Sequence, residues 1–585
     1  MKKLSIIVVL CLVALSAGAQ WKWINPMDAG FSVIQSQGFT DEIGKTYVRL
    51  PDRAKDVVRK DVWDLSRHSA GLAIYFYSNA PTMQIRYQVA KDYRLSYGMS
   101  HMPATGVSGV DLYSINSDGK WNIRTDLFNF TGDTIVYTYT HLGRSKYHKL
   151  GDEFRIYLPL YNNVKWLEIG VPDSSNVTFI PTSKDKPIVV YGTSIAHGAC
   201  ASRPAMAWTN ILQRRLDFPV INLGFSGNGR LEKEVLNFIF EIDAKAYILD
   251  CLPNMTRDSK EYTRQHILDA AHQLRSRHYA PIILVENDGY SNAETDTARV
   301  TMTNVPNQAC KEAYKILKDE NFPDLYYVSR EDIGMGPDSW VDNTHPSDVG
   351  MTHYADAIEK VLREALHIPI GNIYTEKPIT QRREPGNYEW QQRHRDILAR
   401  LATVKPKNVI IGNSITNYWG GLPKGARVNG PKSWQKYFEP RNFQNLGYGW
   451  DRVENVLWRI YHGELDGYTA DNVYMMIGTN NLGLNSDEDI VKGIEFLISA
   501  IKQRQPKAKI TIIGILPRRD REKWVVNINS SIEDMVKRNG CTFCDAGGGL
   551  LKADGKIDES LFVGDGLHPN DNGYEKIAQK LFGTK

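Results

Sequence analysis

The chain has 585 residues, too many for one hydrophobic core and enough for three or four domains at roughly 150 residues each. Its formal net charge of +4 is small for that length, and no basic run is interleaved with aromatics, so nucleic acid is not an expected partner. Aromatic content is 10%, with 13 Trp and 30 Tyr, which allows stacking faces for sugar rings beside the ordinary core use.

Residues 1–19 read as a secretory signal peptide. Met1-Lys2-Lys3 is a basic start, Leu4 to Leu15 is an apolar run too short to span a bilayer, and Ala17-Gly18-Ala19 is an A-x-A cleavage site before Gln20. The expectation is bacterial export, periplasmic or secreted. Cys11 lies in the apolar run without the small residues of a lipoprotein anchor. No later stretch of about 20 apolar residues occurs, so no integral membrane segment is expected. Beyond the signal stand Cys200, Cys251, Cys310, Cys541 and Cys544, an odd set that does not form a disulfide framework. Cys541 and Cys544 have C-x-x-C spacing without a second pair. Cys200 and Cys251 each follow a strand, and free buried thiols are expected there over a bridge.

Residues 20–184 alternate with period two. Met83, Ile85, Tyr87 and Val89 share one face, as do Phe154, Ile156 and Leu158, which predicts an antiparallel β-sandwich. Such a domain could bind glycan, wall the neighbouring site or act as a spacer. From 185 to 365 the pattern becomes short apolar strands separated by helix-length segments: Pro187 to Tyr191, Val220 to Asn222, Ala246 to Leu249, Ile282 to Val285 and Leu325 to Val328. That alternation predicts βαβ units and a parallel sheet with its reactive loops at the strand C-termini. Residues 366–386, carrying Pro369, Pro378 and Pro385, read as a linker, and 387–585 repeat the α/β pattern.

The strongest signal is a repeated constellation. Asp342 and His345 stand three residues apart, as do Asp565 and His568, so each Asp can fix the tautomer of its imidazole. Ser194, in Gly192-Thr193-Ser194, precedes His345 by 151 positions, and Ser414, in Gly412-Asn413-Ser414, precedes His568 by 154. A serine at a strand-to-helix turn needs a base to take its proton, and the histidine supplies one. A developing oxyanion needs donors, and two segments lie at matched offsets. Gly227 and Asn254 follow Ser194 by 33 and 60 positions; Trp450 and Asn480 follow Ser414 by 36 and 66. His197, on the helix after Ser194, reads as a surface or pocket-lining residue.

Ser, Gly, Asn and His in that order, with Asp three before His, resemble the SGNH (GDSL-type) hydrolase family. Gly109-Val110-Asp111-Leu112-Tyr113 resembles the G-x-D-L-Y signature of a β-domain that precedes such hydrolases. Residues 387–583 are similar to the catalytic subunits of platelet-activating-factor acetylhydrolase, through Val409 to Ser414, Asn455 to Arg459, Gly463 to Leu465, Gly478 to Asn481 and Arg504 to Pro506. The resemblance implies two flavodoxin-like three-layer α/β domains behind the sandwich, and hydrolysis of small acyl esters through an acyl-serine without metal or other cofactor. Thr193 and Asn413 replace the family's usual Asp before the serine. Trp450 stands at the family's oxyanion glycine if Asp451 anchors the alignment; a shift by one residue gives the role to Gly449.

The resulting expectation is an exported serine esterase with two sites that removes O-acetyl groups from a polysaccharide or oligosaccharide. A lipid or phospholipid esterase, an acyltransferase, and a chain with one inactive, glycan-binding copy are the alternatives. Activity is expected to fall as pH drops through the range where an ordinary imidazole protonates, about 6.5, and to survive a chelator.

Overall fold

The computed structural model describes residues 20–583 apart from 91–98, 131, 144 and 384–388. The signal-peptide reading of 1–19 and Cys11 therefore lies outside the described residues. Contacts divide the chain into two compact units. The first holds the sandwich and the first α/β domain up to Leu366; the second runs from His367 and takes in two short earlier loops, 115–120 and 145–149.

In the first unit the period-two segments form two antiparallel sheets. One has the order β1 (Trp21–Ile24), β10 (Val164–Pro172), β4 (Met83–Val89), β8 (Ile135–Tyr139), β7 (Leu127–Asn129). The other runs β11 (Val177–Phe179), β3 (Ala73–Ser78), β9 (Asp152–Tyr157), β5 (Asp111–Ile115), β6 (Trp121–Arg124), with β2 (Ile34–Gln35) on β3. Ile85, Tyr87, Phe76, Phe154 and Ile156 are fully buried in the core they share, as alternation requires. Residues 39 to 65 depart from the pattern. Phe39, Ile43, Leu50, Val62 and Leu65 pack into the core of the α/β domain, around helix Lys60–Ser66, so the segment read as all sandwich lends a helical strap to its neighbour.

The α/β domain is a parallel sheet in the order β13 (Val220–Gly224), β12 (Ile188–Gly192), β14 (Ala246–Asp250), β15 (Ile282–Val285), β16 (Leu325–Val328). The second unit repeats it as β18 (Phe443–Gly447), β17 (Asn408–Gly412), β19 (Asn472–Met476), β20 (Lys509–Ile513), β21 (Thr542–Cys544). Each sheet changes direction of growth beside its first strand, the switch point where α/β sheets open a crevice. Register makes the copies superposable by residue. Gly192 pairs with Gly224 and Asp250, and Gly412 pairs with Gly447 and Met476.

Of the stretch read as a linker, 366–386, residues 367–383 are instead built into the second unit. Thr375, Gln381 and Arg382 are buried, Thr375 donates to the Asp489 carbonyl at 2.7 Å, and Gln381 Nε2 donates to Asp451 at 2.9 Å. Prolines end helices, and here they shape a close-packed irregular segment whose polar side chains find buried partners.

Candidate active site

The nucleophile turns are set by their neighbours. Gly192 ends β12, where a Cβ would come within 2.6 Å of Ala196 Cβ, and the chain turns at once into helix Ser194–His197. Thr193 Oγ1 accepts from the Ile195 amide at 3.3 Å; in the second copy Asn413 Oδ1 accepts from the Ile415 amide at 2.9 Å. Thr193 and Asn413 thus take the helix-capping role that an Asp would fill there. Asn222 and Asn445 hold the other side. Asn222 Nδ2 donates to the Ala196 carbonyl at 2.6 Å, and Asn445 Nδ2 to the Thr416 carbonyl at 2.7 Å, while each side-chain oxygen accepts from the glycine two residues on. The sequence analysis gives these two asparagines no role; their equal spacing from the glycine turn is the available signal.

Both acid-histidine loops close alike. Asp342 Oδ1 accepts from the Thr344 and His345 amides at 2.6 Å each, and Oδ2 faces His345 Nδ1 at 2.8 Å. Asp565 Oδ1 accepts from the Leu567 and His568 amides at 2.9 and 2.8 Å, with Oδ2 2.7 Å from His568 Nδ1. The far nitrogens reach the serines, with Ser194 Oγ 3.0 Å from His345 Nε2 and Ser414 Oγ 2.9 Å from His568 Nε2. Burial raises both carboxyls, but the imidazole and amide donors outweigh it and hold Asp342 and Asp565 below the ordinary carboxylate range. Each pair therefore keeps a carboxylate behind a ring whose Nε2 faces a hydroxyl, the arrangement a general base needs.

The expected oxyanion residues sit just beyond the C-terminal ends of the strands flanking the nucleophile. Gly227 lies three residues beyond Gly224 with φ +71°, and Trp450 three beyond Gly447 with φ +64°. Strand register and backbone thus equate Trp450, and not Gly449, with Gly227. A Cβ on Gly227 would meet nothing within 4 Å, which explains how the second copy accommodates an indole at this spot, 46% exposed. A tryptophan held in the left-handed region still costs about 1 kcal/mol or more relative to glycine. Asn254 and Asn480 each lie four residues beyond the strand residue paired with the nucleophile's glycine. Asn254 Oδ1 accepts from the Gly229 amide at 3.1 Å, and Asn480 Nδ2 donates to the Asp451 carbonyl at 2.9 Å, so each is tied to the turn carrying the other donor.

One residue joins the first site that the sequence does not place there, His101, and Cys200, which follows a strand expected to end at the site, lies in it. His101, from the sandwich, sets Nε2 2.8 Å from Asp342 Oδ2, and Cys200 is buried beside the same carboxylate. His101, Cys200, Asp342 and His345 present ligand-type atoms that all lie within 4.8 Å of one another. The sandwich is therefore a wall of this site. It is anchored through the G-x-D-L-Y segment, where Asp111 accepts from the Ala205 amide at 2.7 Å and pairs with Arg203 at 3.1 Å. His197 is a correction: it is fully buried, stacked on Tyr161 at 4.1 Å, with Nε2 2.7 Å from the Leu160 carbonyl, and burial keeps it well below the ordinary imidazole range. Cys200 and Cys251 are free and buried.

In the second unit, the turn below Trp450 rests on buried charge. Asp451 is bonded by Arg459 at 2.8 Å, Trp390 at 2.9 Å and Gln381 at 2.9 Å, and Arg459 also pairs with Glu464, which His394 meets at 2.9 Å. Above it, Tyr147 packs edge-on against Trp450 with centroids 6.3 Å apart, and the Arg383 guanidinium lies 4.6 Å from the Tyr147 ring.

Comparison with known proteins agrees with this frame. Models of the GDSL-like lipase/acylhydrolase family match residues 185–363 and 410–576, and the N-terminus of Esterase_SGNH_hydro-type matches 21–177. Human platelet-activating factor acetylhydrolase IB subunit alpha2 is 29% identical over 202 residues, 34% of this chain and 83% of that protein, and the human alpha1 subunit is 27% identical over 210 residues, 35% and 86%. A putative GDSL-like lipase from Bacteroides ovatus shares 29% identity at a TM-score of 0.53, covering 60% of this chain and all of that one. The chain belongs to the GDSL-like (SGNH) lipase/acylhydrolase family, with two such domains in tandem behind a GxDLY-type N-terminal domain.

Proposed function

We propose that both units are working serine esterases and that the chain, exported from its cell, removes O-acetyl groups from carbohydrate. The repeated Ser–His–Asp geometry carries the first part of this reading. Ser194 or Ser414 gives its proton to the Nε2 of His345 or His568 as it attacks the ester carbonyl, and Asp342 or Asp565 stabilises the imidazolium. The tetrahedral oxyanion takes hydrogen bonds from the serine amide, from the Gly227 or Trp450 amide, and from the side chain of Asn254 or Asn480. The imidazolium returns the proton to the leaving alcohol; water then repeats the sequence on the acyl-serine and releases the acid.

The carbohydrate part rests on the exposed Trp450 with Tyr147 beside it, an aromatic face of the kind on which a sugar ring stacks. Export rests on the Met1 to Gln20 pattern. The acetylhydrolase name of the human relatives supports a small acyl group, and it also favours a phospholipid acetyl ester as second reading. Turnover measured on 4-nitrophenyl esters of increasing chain length, together with acetate release from acetylated glycans, tests the proposal. It predicts a maximum at acetyl and free acetate from glycan. Rates rising with acyl length would favour the lipid reading, and an esterified acceptor in place of acetate would make the enzyme a transferase.

A further inference from the structure

We propose that His101, Cys200, Asp342 and His345 bind a thiophilic divalent cation, zinc above all, and that its binding switches off the first active site while the second keeps running. Their donor set, two imidazoles, a thiol and a carboxylate, is the one zinc favours. Tetrahedral donors at about 2.0–2.3 Å from zinc stand roughly 3.3–3.7 Å apart. Here His101 Nε2 and His345 Nδ1 both lie 2.8 Å from Asp342 Oδ2, and one ligand atom from each of the four residues lies within 4.8 Å of the other three. Side-chain adjustments of about 1 Å, outward for the hydrogen-bonded pairs and inward for the wide ones, complete the geometry.

Cys200 is buried beside the Asp342 carboxylate, which sets its sulfur within reach of the other three donors. On binding the cation the Cys200 sulfur gives up its proton to solvent.

Occupancy would stop catalysis through the tautomer. A neutral imidazole has one N–H. In the triad it sits on Nδ1 and leaves the Nε2 lone pair for the Ser194 proton. A cation on Nδ1 moves the hydrogen to Nε2, which then donates and no longer accepts. Four protein donors close the coordination shell without a place for water, so the group is not built as a hydrolytic metal centre. The second site supplies the control: among the described residues no second imidazole or thiol joins His568 at Asp565, and Tyr418 packs on the catalytic imidazole at 5.1 Å.

The rate arm of the test rests on the esterase reading; the binding arm does not. Full-length Ser414→Ala protein reports the first site and Ser194→Ala the second. With 4-nitrophenyl acetate and zinc chloride in chelator-free buffer, the first loses its rate by at least about tenfold and recovers it with EDTA, while the second changes by less than about twofold. Cobalt(II) added to Ser194→Ala protein gives a thiolate-to-cobalt charge-transfer band without any turnover. His101→Gln, at an exposed position that leaves folding unchallenged, weakens that band, and Cys200→Ser removes it. Equal zinc inhibition of both proteins, absence of the band, or a band unchanged by Cys200→Ser overturns the proposal.

Discussion

Asp342 in the first unit is shared by two imidazoles and approached by a thiol, whereas Asp565 in the second serves, among the described residues, one imidazole. The turn beside the nucleophile differs in the opposite sense. Gly227 leaves open space where Trp450 raises an indole over a buried Asp451–Arg459–Glu464 network. Even the sheets differ at an equivalent position: Asp250 in the first copy corresponds to Met476 in the second. One hydrolytic frame thus tolerates different charge placement around it, because the frame depends on strand-end glycines, capping side chains and the acid-histidine loop, which both copies keep.

The largest effect expected is on the shared part. With the other nucleophile removed, His345→Ala and His568→Ala should each lower kcat by about 10⁴-fold or more, measured on 4-nitrophenyl acetate. A drop at only one histidine would break the equivalence of the copies. Next comes the buried network of the second unit. Arg459→Met strands Asp451 and Glu464 away from water and should cost roughly 3–5 kcal/mol, seen as a lowered melting step of the second unit alone.

Both units should carry a pH dependence, and the first reaches higher, since burial pushes Asp451 of the second unit up to about 6. Burial pushes Asp288 up to about 7, against the pull of the Tyr354 hydroxyl, and drives Asp250 upward as well, with the charge of Asp288 adding to that rise. A carboxyl raised above its unfolded value, about 3.9, favours the folded state most below that value. Its contribution is lost as pH climbs through about 7. The first unit should therefore melt at higher temperature at pH 5 than at pH 8, and Asp288→Asn should flatten the difference in a calorimetric pH series. The smallest effect belongs to Trp450→Gly, which converts the second turn into the first. Release of the left-handed strain should raise stability by up to about 1 kcal/mol, while KM for acetylated glycan rises and KM for 4-nitrophenyl acetate stays nearly constant.

Much of this was readable in the sequence because it is local. Period-two alternation marks the sandwich, short apolar strands mark both parallel sheets, and Asp-x-x-His constrains its own loop. The nucleophile-to-histidine pairing needed the repeat, since no local rule joins Ser194 to a residue 151 positions away. What stayed hidden depends on packing between distant segments. Residues 39 to 65 look like part of a β-domain until Phe39 and Leu50 find the α/β core. The prolines around Gln381 read as a linker because the buried partner, Asp451, lies 70 positions on. His101 had no motif at all, and only the docking of Asp111 on the loop at Ala205 shows why a sandwich loop reaches the catalytic acid.

The most direct test of two working sites is acetate release, from 4-nitrophenyl acetate and from acetylated plant glycans, by wild type, Ser194→Ala, Ser414→Ala and the double variant. The account predicts that each single variant retains part of the activity, that the two lose different parts of the glycan signal, and that the double variant is inactive. If one single variant abolishes all release, the other copy is no enzyme and the claim of two active sites is contradicted.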